Sequence, residues 1–100
     1  MTIKLRQEMF KHLVSGLKKS TSRLGERNIK IGDELVFEMT EDTSVTHKTI
    51  VTDVTVCKFS ELTEEEAKNE GYASLSELKE ALISIYHPSE DDIFTLIHFA

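Results

Sequence analysis

Gly16-Leu17-Lys18-Lys19-Ser20-Thr21-Ser22-Arg23 packs two ammonium groups, three hydroxyls and one guanidinium into eight residues. Alone, such a run reads as a solvated strand or turn, so its neighbours decide its meaning. Upstream, Met9, Phe10, Leu13, Val14 and Leu17 recur at helical spacing, which predicts a helix over 7–17 that Gly16 weakens near its end. Lys18 to Arg23 then reads as extended and polar.

Downstream the pattern is mixed. Ile29 to Asp33 reads as a short strand entering a turn. Glu34 to Met39 alternates, with Leu35, Phe37 and Met39 on one face. Glu41-Asp42-Thr43-Ser44 reads as a polar hairpin connection, and Val45 to Phe59 is too rich in Val and Thr to favour a helix. Thr63 with Glu66, and Ser74 with Glu77, have capping-box spacing and predict two helix starts. The first helix ends near Gly71. The second places Leu75, Leu78, Leu82 and Ile85 on one stripe and stops before Pro88. Ile93 to Phe99 is apolar on both faces, as a central strand would be. The order of elements predicts one α+β domain over residues 1–100, a curved mixed sheet or small β-barrel with flanking helices.

Composition narrows the partners. The formal net charge is −6, with the basic residues concentrated between Lys4 and Lys30 and an acidic stretch from Glu61 to Glu80. Duplex DNA is held through phosphates by a broad basic surface. The balance here favours a small nucleoside or a short RNA segment instead. No apolar run approaches the roughly 20 residues of a membrane span. The first residues lack the apolar core of a signal peptide, and the single cysteine, Cys57, fits a reducing compartment. The expected location is the cytoplasm. Four histidines without ligand spacing predict no metal site, and there is no glycine-rich phosphate loop.

Gly16-x-Lys18-x-x-x-x-Arg23 after an amphipathic helix resembles the G-x-K-x-x-x-x-R signature of ASCH domains, PUA-like β-barrels related to RNA-binding modules. Ile31-Gly32-Asp33, Leu62-Thr63-Glu64, Ser76-Glu77-Leu78-Lys79 with Ile85-Tyr86, and the closing aromatic strand match as well. The similarity covers nearly the whole chain. Within the family, the chain most resembles the short bacterial members that act as N(4)-acetylcytidine amidohydrolases. Their Lys falls on Lys18, the Thr three residues later on Thr21, and the helical Glu on Glu70, within Ala67-Lys68-Asn69-Glu70. Where those enzymes have small or apolar residues between Lys and Thr, this chain has Lys19 and Ser20. The resemblance implies an amidohydrolase that needs no cofactor. A PUA-like relationship alone implies a non-catalytic module that binds RNA or a modified nucleoside.

The implied chemistry is coherent. Amide hydrolysis needs a nucleophile, a proton shuttle and stabilisation of the oxyanion. Lys18 is the base for Thr21 if burial and cationic neighbours lower its pKa, whereas an ionised Glu70 raises it. Arg23 would hold the nucleobase or the oxyanion. Arg6 and Tyr72 are further candidates for substrate contact, with Tyr72 expected to be exposed. Tyr86 and Phe94 read as core rather than as stacking platforms, and Cys57 as an inert core thiol. Strand geometry adds a condition. Lys18 and Thr21 are an odd number apart, so both reach one site only if Lys18 lies in the turn before the strand or a bulge intervenes. Ser20 or Ser22 is the alternative hydroxyl.

Overall fold

The alternation that makes Thr2–Leu5 a strand is brief: Ile3 and Leu5 point inward and Thr2 and Lys4 outward. This strand, β1, is absent from the sequence reading. The computed structural model describes residues 1–100, and in it β1 is followed by α1 (Gln7–Ser15), β2 (Ser20–Leu24), β3 (Glu34–Met39) and β4 (Asp42–Lys58). A 3-10 turn (Phe59–Glu61) leads to α2 (Glu64–Asn69), α3 (Leu75–Tyr86) and β5 (Ile93–Phe99). The five strands form one mixed sheet in the order β1-β3-β4-β5-β2. Only β1 and β3 pair in parallel. The 17-residue β4 pairs with β3 through its first half and with β5 through its second, with a register shift between Val51 and Asp53. That long strand carries the sheet round a corner and curls it into a half-barrel.

Two apolar clusters fill the two sides of the sheet. Phe10 and Leu13 of α1 pack into the curl with Ile3, Leu5, Leu35, Phe37, Val51, Ile97 and Phe99. On the opposite face, Ala67 of α2 and Leu78 and Leu82 of α3 cover Phe94 and Leu96. β5 therefore feeds both clusters, as its apolar faces require. Full burial of side chains such as Phe37 and Phe94 stabilises by about 1.5–3 kcal/mol each.

Four local readings are corrected. Ile29 to Asp33 is not a strand: the Asp33 carboxylate accepts from the Lys30 N–H at 2.9 Å and Gly32 takes φ 95°, so turn chemistry prevails. β4 begins at Asp42, which shortens the hairpin connection. The Thr63 cap is half a box, because Thr63 accepts from the Glu66 N–H while the Glu66 carboxylate turns toward His98. Ile85 is exposed, and Tyr86 packs edge-on against Phe94 instead.

Candidate functional site: a buried lysine–carboxylate pair at the free edge of β2

β2 is an edge strand, so one of its backbone rims has no neighbouring strand. The sequence supplies charged side chains to that rim. Gly16 ends α1 in the left-handed conformation at φ 86°, and the Lys18 N–H then bonds back to the His12 carbonyl at 3.0 Å. Lys18 consequently sits in the turn before β2, as a site shared with Thr21 would require, but its ammonium does not bond to Thr21. Its ammonium donates to the Ser20 carbonyl at 2.9 Å and to the Glu70 carbonyl at 3.2 Å. The second acceptor lies at the C-terminal end of α2, where the helix dipole favours a cation.

Glu70 reaches the same rim from the other side of the sheet. Its carboxylate accepts the Ser22 N–H at 3.1 Å through Oε1 and the Ser22 hydroxyl through Oε2, and Oε1 stands 4.0 Å from Lys18 Nζ. The Arg23 guanidinium donates to the Ser22 carbonyl at 3.0 Å. Three consecutive outward backbone groups of β2 are thereby met by Lys18, Glu70 and Arg23. Gly71 follows at φ 95°, where a Cβ would stand 3.3 Å from Met9 Sδ and 3.4 Å from His12 Nδ1. The end of α2 thus folds over the β2 rim and meets α1, and Lys18 and Glu70 are shut into that seam at 4% exposure each.

Burial in the seam sets the electrostatics. Desolvation pulls the Lys18 pKa down to about 8. The Glu70 carboxylate works against that fall and the Arg23 charge adds to it. Desolvation pushes the Glu70 pKa up, opposed first by Lys18 and then by the hydrogen bonds from Ser22 and the charge of Arg23. Tyr72 is half-buried rather than exposed. Its phenol is raised by burial and by Glu70, with Arg23 opposing, so it lies within the field of the pair.

The alternation of β2 sorts the hydroxyls. Ser20 and Ser22 lie opposite His98 and Leu96 of β5, on the face covered by α2 and α3. Thr21 lies opposite Ile97 and Arg23 opposite Thr95, on the face turned into the curl. The hydroxyl that engages Glu70 is that of Ser22, which the spacing argument alone does not single out. Ser20 Oγ is buried without a hydrogen-bond partner. Next to it, His98 Nε2 lies 3.8 Å from Glu66 Oε2, one turn of α2 before Glu70.

The structure gathers Lys18, Glu70, Arg23, Ser22 and Tyr72, with Thr21 adjacent on the other face of β2. It does not gather Arg6, which is exposed at the far end of α1, about nine residues of helix away from Lys18. Phe94 is fully buried, and Cys57 is half-buried with its thiol pKa raised by burial and nearby carboxylates. An open groove of about 560 Å³ runs between α1 and α3 past Glu8, Met9, His12, Gly71, Tyr72 and Glu77. Neither Lys18 nor Glu70 lines it, and Tyr72 is the residue of the group that borders it. No group of three or more His, Cys, Asp or Glu side chains is placed to hold a metal ion. No helix is long and apolar enough to cross a membrane.

A five-stranded half-barrel flanked by three α-helices is a small α+β domain. The sequence matches no protein-family model and no curated protein. Solved structures do match it. An ASCH domain from Lactobacillus crispatus superposes with a TM-score of 0.83 over 98% of this chain and 77% of its own, at 19% identity. An ASCH protein from Zymomonas mobilis gives 0.76 over 99% of this chain and 65% of its own, at 14% identity. A hypothetical protein of known structure gives 0.73 over 98% and 94%, at 24% identity. The chain has the ASCH fold, a PUA-like half-barrel.

Proposed function

We propose that the chain is an ASCH-family amidohydrolase that removes the acetyl group from N(4)-acetylcytidine or a related acylated nucleoside. The observation that carries this reading is the buried Lys18 beside Glu70, with its pKa drawn down to about 8. A lysine so tuned is a base near physiological pH, whereas an ordinary surface lysine is not. Thr21 is the nucleophile. Its hydroxyl attacks the acetyl carbonyl as Lys18 takes the proton, and Arg23 steadies the oxyanion or the base. Glu70 relays a proton to the exocyclic amine as the C–N bond breaks. Water then cleaves the threonyl ester, releasing acetate and restoring Thr21.

Charge favours a small substrate over polymeric RNA. The groove that Tyr72 borders also carries Glu8, Glu77 and Glu80, and such a surface repels a phosphate backbone. The test incubates the protein with N(4)-acetylcytidine and follows cytidine and acetate by chromatography. Turnover lost in both Lys18→Ala and Thr21→Ala is the expected result. No turnover by the wild type, together with binding of a short RNA, would instead establish a non-catalytic binding module.

A further inference from the structure

Both oxygens of the Glu70 carboxylate are held by one residue. Ser22 donates its backbone N–H to Oε1 and its hydroxyl to Oε2. Ser22 is 1% exposed and lies on the face of β2 that α2 covers, with its proton directed at the carboxylate. Thr21 is enclosed as deeply, at 2% exposure, so burial does not set the two hydroxyls apart. What does is that the Ser22 hydroxyl is already bonded to the carboxylate it can fix.

We propose that Ser22 is a positioning residue, a clamp that holds both oxygens of the Glu70 carboxylate and aims it along the β2 rim toward Lys18. This rests on the reading of Lys18, Thr21 and Glu70 as the catalytic group. The charged and titratable groups around Glu70 are Lys18 from the α1–β2 turn, Arg23 of β2, Tyr72 beyond α2 and Cys57 of β4, with Glu66 one turn back on α2 and His98 of β5 paired to it. Lys18 Nζ stands 4.0 Å from Oε1, beyond hydrogen-bond length, so its help is through charge alone. Ser22 supplies the two direct hydrogen bonds that favour the charged carboxylate against desolvation. Without the hydroxyl, Oε2 loses its donor while remaining buried, and the neutral acid gains. Glu70 and Lys18 share protons as a coupled pair, so a carboxylate that ionises later delays the reactive form as pH rises.

The test follows the Glu70 carboxyl carbon by NMR in protein labelled at glutamate, across pH, in wild type and Ser22→Ala. The clamp predicts that its titration moves up by about one to two pH units in the variant. It also predicts that Ser22→Thr, which keeps a hydroxyl, restores the wild-type value. With N(4)-acetylcytidine, the acid limb of kcat/KM moves in the same direction and KM stays nearly constant. An unmoved carboxyl overturns the clamp. So does a loss of turnover as deep as that of Thr21→Ala with an unchanged titration, which would make Ser22 the nucleophile. A shifted carboxyl in a protein that hydrolyses no acylated nucleoside leaves the clamp standing and removes the catalytic reading instead. If Ser22→Ala does not fold, the wild type still decides: the Ser22 hydroxyl proton must give a slowly exchanging resonance, and its absence overturns the proposal.

Discussion

Ser20 and Ser22 on one face of β2, and Thr21 and Arg23 on the other, belong to one short run of polar residues, yet they enter different surroundings. The serine face lies under α2 and α3, where Ser22 is committed to Glu70 and Ser20 has no partner. The threonine face turns into the curl beside α1, and Thr21 takes no part in the bonding of Lys18 or Glu70. Residue type alone does not distinguish these hydroxyls. What separates them is which helix covers which face.

The contrast is broken most sharply at Thr21. Thr21→Ala is expected to lower turnover of N(4)-acetylcytidine by about 10³-fold or more while leaving the fold intact, measured as initial rates on protein with an unchanged circular dichroism spectrum. Activity comparable to wild type would move the nucleophile to another residue.

Lys18→Met attacks the buried pair directly. Removing one partner of a buried pair leaves Glu70 uncompensated and costs about 3–5 kcal/mol of stability, read from denaturant midpoints near neutral pH. In the wild type, turnover should rise with pH through about 8 as Lys18 loses its proton. The stability sign follows from the same depressed value. Between about pH 8 and 10.5 the unfolded lysine still holds a proton that the folded one has released, so stability rises with pH across that window. Below it, the cost of burying the charge is constant. Subtracting the Lys18→Met profile isolates this rise from other titrations, including that of Tyr72. A flat difference would place Lys18 in a wetter setting than the seam.

Gly71→Ala tests the seam rather than either face. An alanine at φ 95°, with its Cβ 3.3 Å from Met9 Sδ, should cost about 1–2 kcal/mol and lower the melting temperature by about 4–16 °C. Ser20→Ala is the smallest effect and opposite in sign. Deleting a buried hydroxyl that makes no hydrogen bond should leave turnover unchanged and alter stability by no more than about 1 kcal/mol, in the stabilising direction. A marked loss in calorimetry would reveal a partner for Ser20 Oγ.

Much of the fold was legible because strong patterns agreed with tertiary need. Leu35 and Phe37 alternate and are fully buried, and β5 is apolar on both faces because both are covered. β1 escaped because four residues carry little period, and its parallel partner lies more than 30 positions away. Ile85 misled because the inward stripe of α3 ends on Tyr86, one residue on, over Phe94. Lys18, Arg23 and Glu70, which the structure brings together, were singled out through resemblance and chemistry, as was Thr21 on the other face. The Ser22 clamp was not, because period-2 alternation says which side chains share a face but not which helix covers it. The signal available was a serine two residues before the end of an edge strand, opposite an acidic helix terminus.

The rim of β2 also governs how molecules of this chain behave toward one another. The Ser20 carbonyl, the Ser22 N–H and the Ser22 carbonyl are the groups that an extended segment from another molecule would need in order to extend the sheet. All three are already occupied by Lys18, Glu70 and Arg23. The residues assigned to chemistry thus also serve as a guard against strand-by-strand self-assembly. A variant that loses Lys18 should therefore be harder to keep monomeric in concentrated solution than one that loses Thr21, a liability unrelated to catalysis.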